Sequence, residues 1–203
     1  MTLKIGVLGS GEGSEIHAII NAAESGRLDA EIVSVISDVE DAPVLELARN
    51  HGIESIFMEY SGNRGILFDK AAAKEFDRRG AEVIVLAGFA RQLSSWFCKH
   101  YENRIMDMHP SLLPLFAGNP RESIHQEVLN SGVKVTGPTL HFVTSGKGGG
   151  PIIMQKPVMV EDGDTPETLG NKVSEAGNQI LLESVKLFGE GRIKIEGNRV
   201  KIL

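Results

Sequence analysis

Cysteine is almost missing from this chain: Cys98 is the only one in 203 residues. That excludes an internal disulfide and any cysteine-based zinc site. Within Trp96-Phe97-Cys98-Lys99-His100 the thiol reads as buried and inert, not as a nucleophile. Runs of positive charge are missing too. No Lys/Arg block exceeds the pair Arg78-Arg79, and the net charge is −6 with a pI near 5.5. Nucleic acid is therefore excluded as a partner, and a small anionic ligand would need local cations. No apolar run reaches the roughly 18 residues of a membrane span, and no basic segment followed by an apolar one opens the chain. The chain reads as soluble and cytoplasmic, with no membrane partner. Repeats, low-complexity segments and linkers are also absent. At 41% hydrophobic the chain can bury one core and not readily two, so residues 1–203 read as a single domain.

What is present alternates. Leu3 to Leu8 is an apolar run that reads as a buried parallel strand. Gly9-Ser-Gly-Glu-Gly-Ser14 follows, then Ile16, Ala18, Ile19, Ile20 and Ala23 at helical spacing up to Gly26. A glycine loop opening a helix offers amides to an anion. It can equally be a tight turn that needs positive φ. It lacks Gly-Lys-Ser/Thr and the third glycine of a dinucleotide fingerprint, which argues against a nicotinamide enzyme despite Asp38. Further strands are predicted at Glu31–Ser37, 52–58 and 82–87. Helices are predicted at Pro43–Asn50, at 66–79 with Leu67, Ala71, Ala72 and Phe76 inward, and from Ser94 or Ser95 to His100. The alternation gives an α/β, doubly wound parallel sheet. After Pro114 come a loop to Arg121, a helix from Ser123 to Asn130, and alternating strands at Val133–Val143 and Ile152–Val160. These strands are expected to extend the sheet antiparallel. Thr165-Pro166-Glu167 opens a helix to about Phe188, and Arg192–Leu203 reads as a hairpin.

The stretch Arg104-Ile-Met-Asp-Met-His-Pro-Ser-Leu-Leu-Pro114 carries the chemistry. Its apolar residues form a strand that Pro110 stops. Asp107 and His109, two apart, point to the same side. A carboxylate and an imidazole at the C-terminal end of a strand lie where such sheets place their sites. The competing reading is a turn-capping histidine beside an edge aspartate. His109, His125 and His141 as a metal trio is the weaker idea, because such spaced histidines are more often structural. No metal is expected.

These motifs resemble the folate-dependent phosphoribosylglycinamide formyltransferases of purine synthesis, nearly end to end. The likeness runs through Ser10-Gly11-x-Gly13-Ser14, Val85-Leu-Ala-Gly-Phe-x-Arg91, Met108-His-Pro-Ser-Leu-Leu-Pro114, Gly132-Val-Lys-Val-Thr-Gly137, Leu140-His-Phe-Val143 and Gly150-Pro-Ile-Ile-x-Gln155. It implies a formyltransferase fold, a Rossmann-like parallel sheet with antiparallel strands added in the C-terminal half. It implies 10-formyltetrahydrofolate as co-substrate, phosphoribosylglycinamide as acceptor, and a monomer or homodimer. By the same resemblance Gly13, Ser14 and Glu15 face the substrate phosphate, and Ser174, Glu175 and Gly177 lie on its other side. Arg64, Ala90, Arg91, Gln92, Leu93, Asp107, Thr144 and Lys147 fall on the folate side, and His109 is the catalytic histidine.

The resemblance also marks departures. The family has asparagine at Asp107, aspartate at Gly148, glutamate at Gly177, and asparagine at both Glu12 and Glu15. Its loop differs from residues 116–124 here. In the family the asparagine donates to the oxyanion and a charged imidazole stabilises it. Two expectations follow for Asp107: it is protonated and donates, or it is ionised and keeps His109 charged. A weakened or repurposed relative is the alternative, either a ligand-binding module or a hydrolase or transferase of formyl-folate with another substrate. If the two departures limit transfer, Asp107→Asn with Gly148→Asp raises the rate at least about tenfold.

Overall fold

The computed structural model describes residues 1–60, 65–119, 121–145 and 149–203. Strand β1 (Leu3–Gly9) is the middle strand of the parallel part of the sheet. Alternation sends Ile5 and Val7 to one face, and Gly6 and Leu8 to the other. On the first face lie α1 (Ser14–Glu24), α2 (Pro43–Asn50) and α6 (Pro166–Gly189), through Ile16, Ile19, Leu45, Ile180 and Val185. On the second lie α3 (Gly65–Arg79) and α4 (Ser95–His100), through Phe68, Phe76, Phe97 and Tyr101. Gly6 permits this close approach: a Cβ there would meet Phe76 Cδ1 at 2.5 Å.

The buried face of α3 differs from the predicted one. Phe68, Ala72, Ala73 and Phe76 are inside, whereas Leu67 and Ala71 are exposed. Asp69 is buried with them and accepts from the Ser94 amide at 2.6 Å, which fastens α3 to the start of α4.

Strands β2 (Ala30–Ser37), β3 (Ser55–Phe57), β4 (Val83–Ala87) and β5 (Ile105–His109) complete a parallel block in the order β5-β4-β1-β2-β3. The chain leaves β1 toward β2 on one side and returns to β4 on the other, so the carboxyl ends of β1 and β4 bound the crevice of a doubly wound sheet. Next to β5 run β7 (Thr139–Phe142) and then β8 (Ile152–Gln155), both pairings antiparallel. The hairpin β10 (Ile193–Glu196) and β11 (Arg199–Ile202) continues the sheet, with Arg199 registered beside Ile152. The predicted architecture of parallel sheet plus antiparallel extension is present.

The two long alternating strands are not. Val133–Val143 breaks into β6 (Val135–Thr136) and β7, and Ile152–Val160 into β8 and β9 (Val158–Met159). Strands β6 and β9 pair with each other in a separate ribbon. Pro138 and Pro157 lack the N–H a continuous ladder needs. Gly137 has φ 147°, and a Cβ on it would overlap the Lys156 carbonyl oxygen. The two segments therefore cross too closely to remain straight strands. The helix predicted at 123–130 is α5 (Ile124–Ser131), entered through a tight 3₁₀ turn at Arg121–Ser123. Thr165 caps α6 as predicted, accepting from the Thr168 amide at 3.2 Å. Among the described residues no helix is long and apolar enough to cross a membrane.

Candidate active site

Three strand ends meet in the crevice. After β1, Gly13 begins α1 at φ 78°, where a Cβ would press on Val44 at 2.9 Å. Both its conformation and its contact therefore require glycine. After β4, Gly88 lies against Gly11. The buried carboxylate of Asp38, at the end of β2, links these loops. Ser10 Oγ donates to its Oδ1 at 2.6 Å and Arg91 Nε to its Oδ2 at 2.7 Å. The Arg91 guanidinium also covers the Tyr60 ring at 4.8 Å.

His109 ends β5. Its Nδ1 lies 3.0 Å from Ser111 Oγ, whose own proton goes to the Leu115 carbonyl at 2.6 Å. Ser111 must therefore accept from His109, which places the ring proton on Nδ1 and leaves Nε2 with a free lone pair. The turn beneath is braced by Thr139. Its hydroxyl donates to the Ser111 carbonyl at 2.7 Å and accepts from the Leu113 amide at 3.0 Å and Gln155 Nε2 at 2.8 Å. Leu113-Pro114 is cis.

The proton affinity of His109 is pushed down to about 4, first by burial and next by the Arg121 guanidinium; Asp107 pulls the other way and is outweighed. At neutral pH the imidazole is uncharged, which corrects the expectation of an imidazolium kept charged by Asp107. The expectation of a protonated, donating Asp107 also fails. Both its oxygens accept from Arg121 Nη2, at 2.7 and 2.6 Å, the arrangement of a charged pair. Arg121 Nη1 donates to the Met108 carbonyl at 2.5 Å. His141 is hydrogen-bonded as predicted, its Nδ1 2.9 Å from the Phe142 carbonyl, and its Nε2 stands 3.6 Å from Asp107.

Two cavities flank this strand end. One of about 220 Å³ is lined by Leu86, Phe89, Arg91, Gln92, Leu93, Asp107, His141 and Thr144 among others. Cys98 lies in its wall, with burial raising its thiol pKa, in keeping with the inert reading. The other, about 110 Å³, is lined by Glu15, Met108, Pro110, Arg121, His125, Ser174, Gly177 and Asn178 among others.

The residues predicted for the folate side thus gather in the first cavity, except Ala90, which is exposed and outside the lining. Those predicted for the substrate side gather in the second, except Glu175, exposed on α6, and Gly13 and Ser14, which stand at the head of α1. Arg64, Lys147 and Gly148 lie outside the described residues. Among the described residues no group of three His, Cys, Asp or Glu side chains could hold a metal ion. Sequence reasoning missed Arg121, His125 and Asn178 as cavity residues, and the Asp38 link. A signal for Arg121 existed: it is the only Lys or Arg between Arg104 and Lys134.

His109 itself lines neither cavity; its neighbour Asp107 lines the larger, and Met108 and Pro110 line the smaller. Such a strand end, on a Rossmann-like sheet extended by antiparallel strands, defines a class. The chain belongs to the formyl transferase family, whose sequence profile matches residues 3–185. Within that family its place is with the phosphoribosylglycinamide formyltransferases. It is 35% identical to phosphoribosylglycinamide formyltransferase of Escherichia coli (strain K12) over 197 residues, covering 97% of this chain and 92% of that one. The crystal structure of glycinamide ribonucleotide transformylase 1 from Symbiobacterium toebii superposes with a TM-score of 0.92 at 40% identity, covering 100% of this chain and 94% of the other. Trifunctional purine biosynthetic protein adenosine-3 of Gallus gallus is 38% identical over 195 residues, and the match covers 95% of this chain but only 19% of that protein.

Proposed function

We propose that the chain transfers the formyl group of 10-formyltetrahydrofolate to the amine of phosphoribosylglycinamide, a step of purine biosynthesis. The observation that carries this reading is the placing of His109, its tautomer set by Ser111, on a strand end whose Asp107 lines one cavity and whose Met108 lines the other. The larger cavity, walled by Leu86, Phe89 and Leu93, suits the folate ring, and the smaller one, beside the α1 glycine turn, suits the ribonucleotide.

In this reading the substrate amine attacks the formyl carbon, and the carbonyl oxygen becomes an oxyanion. His109 Nε2 takes the proton that the amine loses. The bond from the formyl carbon to the folate nitrogen then breaks, and that nitrogen receives the proton from His109. The products are the formylated amine and tetrahydrofolate. A steady-state assay with both substrates tests the reading. Turnover that the His109→Ala variant loses is expected; a rate no better than that of His109→Ala overturns it.

A further inference from the structure

The transfer reading leaves one requirement unmet. An oxyanion needs donors or positive charge aimed at it. Asp107 sits where the resemblance puts a donating amide, yet both its oxygens are engaged as acceptors. His109 becomes charged only after it has taken the amine's proton, so it offers no positive charge at the moment of attack. Among the described residues lining the two cavities, the permanent cations are Arg91 and Arg121. Arg91 is held by the buried Asp38, away at the end of β2. Arg121 is held on the last residues of β5 itself, by Asp107 and the Met108 carbonyl.

We propose that Arg121, docked on Asp107, is the permanently charged group that stabilises the oxyanion in this chain, while His109 carries the proton. The inference rests on the formyl-transfer reading above. Arg121 bridges the two cavities: it lines the smaller one, and its Nη2 grips the carboxylate that lines the larger one. The second bond, from Nη1 to the Met108 carbonyl, fixes the guanidinium plane across the strand end. Bonds from two nitrogens of one rigid group to two separate residues of the strand are what a guanidinium makes and the single nitrogen of a lysine cannot. The pair is partly shielded, with 15% of the Asp107 side chain and 34% of the Arg121 side chain exposed. Charge held there acts more strongly than it would in open water. Asp107 is then a positioning residue. It aims the guanidinium and leaves the donation to it. The departure at Asp107 and the departure in loop 116–124 become one exchange, a neutral amide replaced by a carboxylate carrying a cation.

The competing explanation is that the pair merely pins the loop to the sheet. Kinetics of Arg121→Lys, Arg121→Gln and the double variant Asp107→Asn/Arg121→Gln separate the two. Removing the charge in Arg121→Gln is expected to lower kcat about a hundred- to a thousandfold, with a much smaller change in either KM. Arg121→Lys keeps charge without the fork and falls between. The double variant restores an amide donor and is expected to recover at least about tenfold over Arg121→Gln.

The groups facing His109 are Arg121, Asp107 and His141. Loss of the guanidinium therefore also moves the acid limb of the kcat profile upward, which checks that its charge faces the ring; the recovery in the double variant is what a purely structural pin would not give. The C–H resonances of His109 followed by NMR report the same shift without turnover. Arg121→Gln within about threefold of wild-type kcat overturns the proposal alone. So does a loss of kcat with an unmoved acid limb and no recovery in the double variant. A wild-type chain without turnover takes down the transfer reading, and this proposal with it.

Discussion

Ser111 Oγ accepts from His109 Nδ1 at 3.0 Å because its own proton is committed to the Leu115 carbonyl at 2.6 Å. Ser111→Ala removes both bonds at once at a buried position. Kcat is expected to fall about tenfold or more, since Nε2 no longer holds the lone pair in every molecule, while KM changes little. Loss of the bond to the Leu115 carbonyl, on an exposed residue, adds a stability loss of about 0.5–1.5 kcal/mol. Steady-state kinetics and a thermal melt check the two effects separately.

Acid affects activity and stability through the same ring. His109 binds its proton near 6.5 when unfolded and at about 4 when folded. Between these values the unfolded chain holds a proton that the folded chain does not. Stability is therefore fully present above 6.5 and declines as pH falls toward about 4. His125, lowered by burial, contributes with the same sign. Melts across this window are expected to show a decline that His109→Gln makes shallower. The acid limb of kcat/KM is expected near 4, well below the ordinary histidine value; a limb at 6.5 would show the ring to be unperturbed.

Asp38→Asn tests the link between the first two strand-end loops and the larger cavity. The amide bonds Arg91 more weakly than the carboxylate does, so the guanidinium leaves the Tyr60 ring more often. The KM for the formyl donor is expected to rise up to about tenfold with kcat nearly unchanged, because the half-exposed Arg91 loses its charge-assisted partner. Equilibrium binding of a folate analogue measures it directly. A drop confined to kcat would place Asp38 in the chemistry instead.

Gly137→Ala tests the crossing that splits the C-terminal strands. The added methyl meets the Lys156 carbonyl in a backbone conformation that side chains seldom adopt. A loss of about 1–3 kcal/mol is expected. That lowers the melting point of a domain this size by about 2–4 °C for each kcal/mol. An unchanged melt would mean that the crossing relaxes freely.

The places where sequence reasoning worked and failed have a common physical cause. Pro43–Asn50 was legible to the residue because a proline starts it and the pattern is local. Asp107 and His109 were legible as neighbours because strand alternation places them on one side. The break at Gly137 was not, since the obstacle is a carbonyl on Lys156, brought there by the tertiary path. Leu67 and Ala71 were misplaced because a helix of weak apolar periodicity does not reveal which stripe the sheet will take. Arg121 stood out as an isolated cation, but its partners were not legible for a related reason: a loop has no period, and what its arginine touches depends on where the loop is laid down. The charge of His109 could not be read either, because it depends on burial and on that same arginine.

The rims of the nine-stranded sheet have a consequence beyond catalysis. At one rim β3 offers only three residues, and at the other β10 alternates Ile193 and Ile195 with Lys194 and Glu196. Lys194 and Lys201 both reach Glu196, so ionic groups crowd the outermost backbone. A stray strand trying to zip onto either margin would find too short a template or would have to strip water from charges. The molecule is thereby guarded against growing sideways into aggregates.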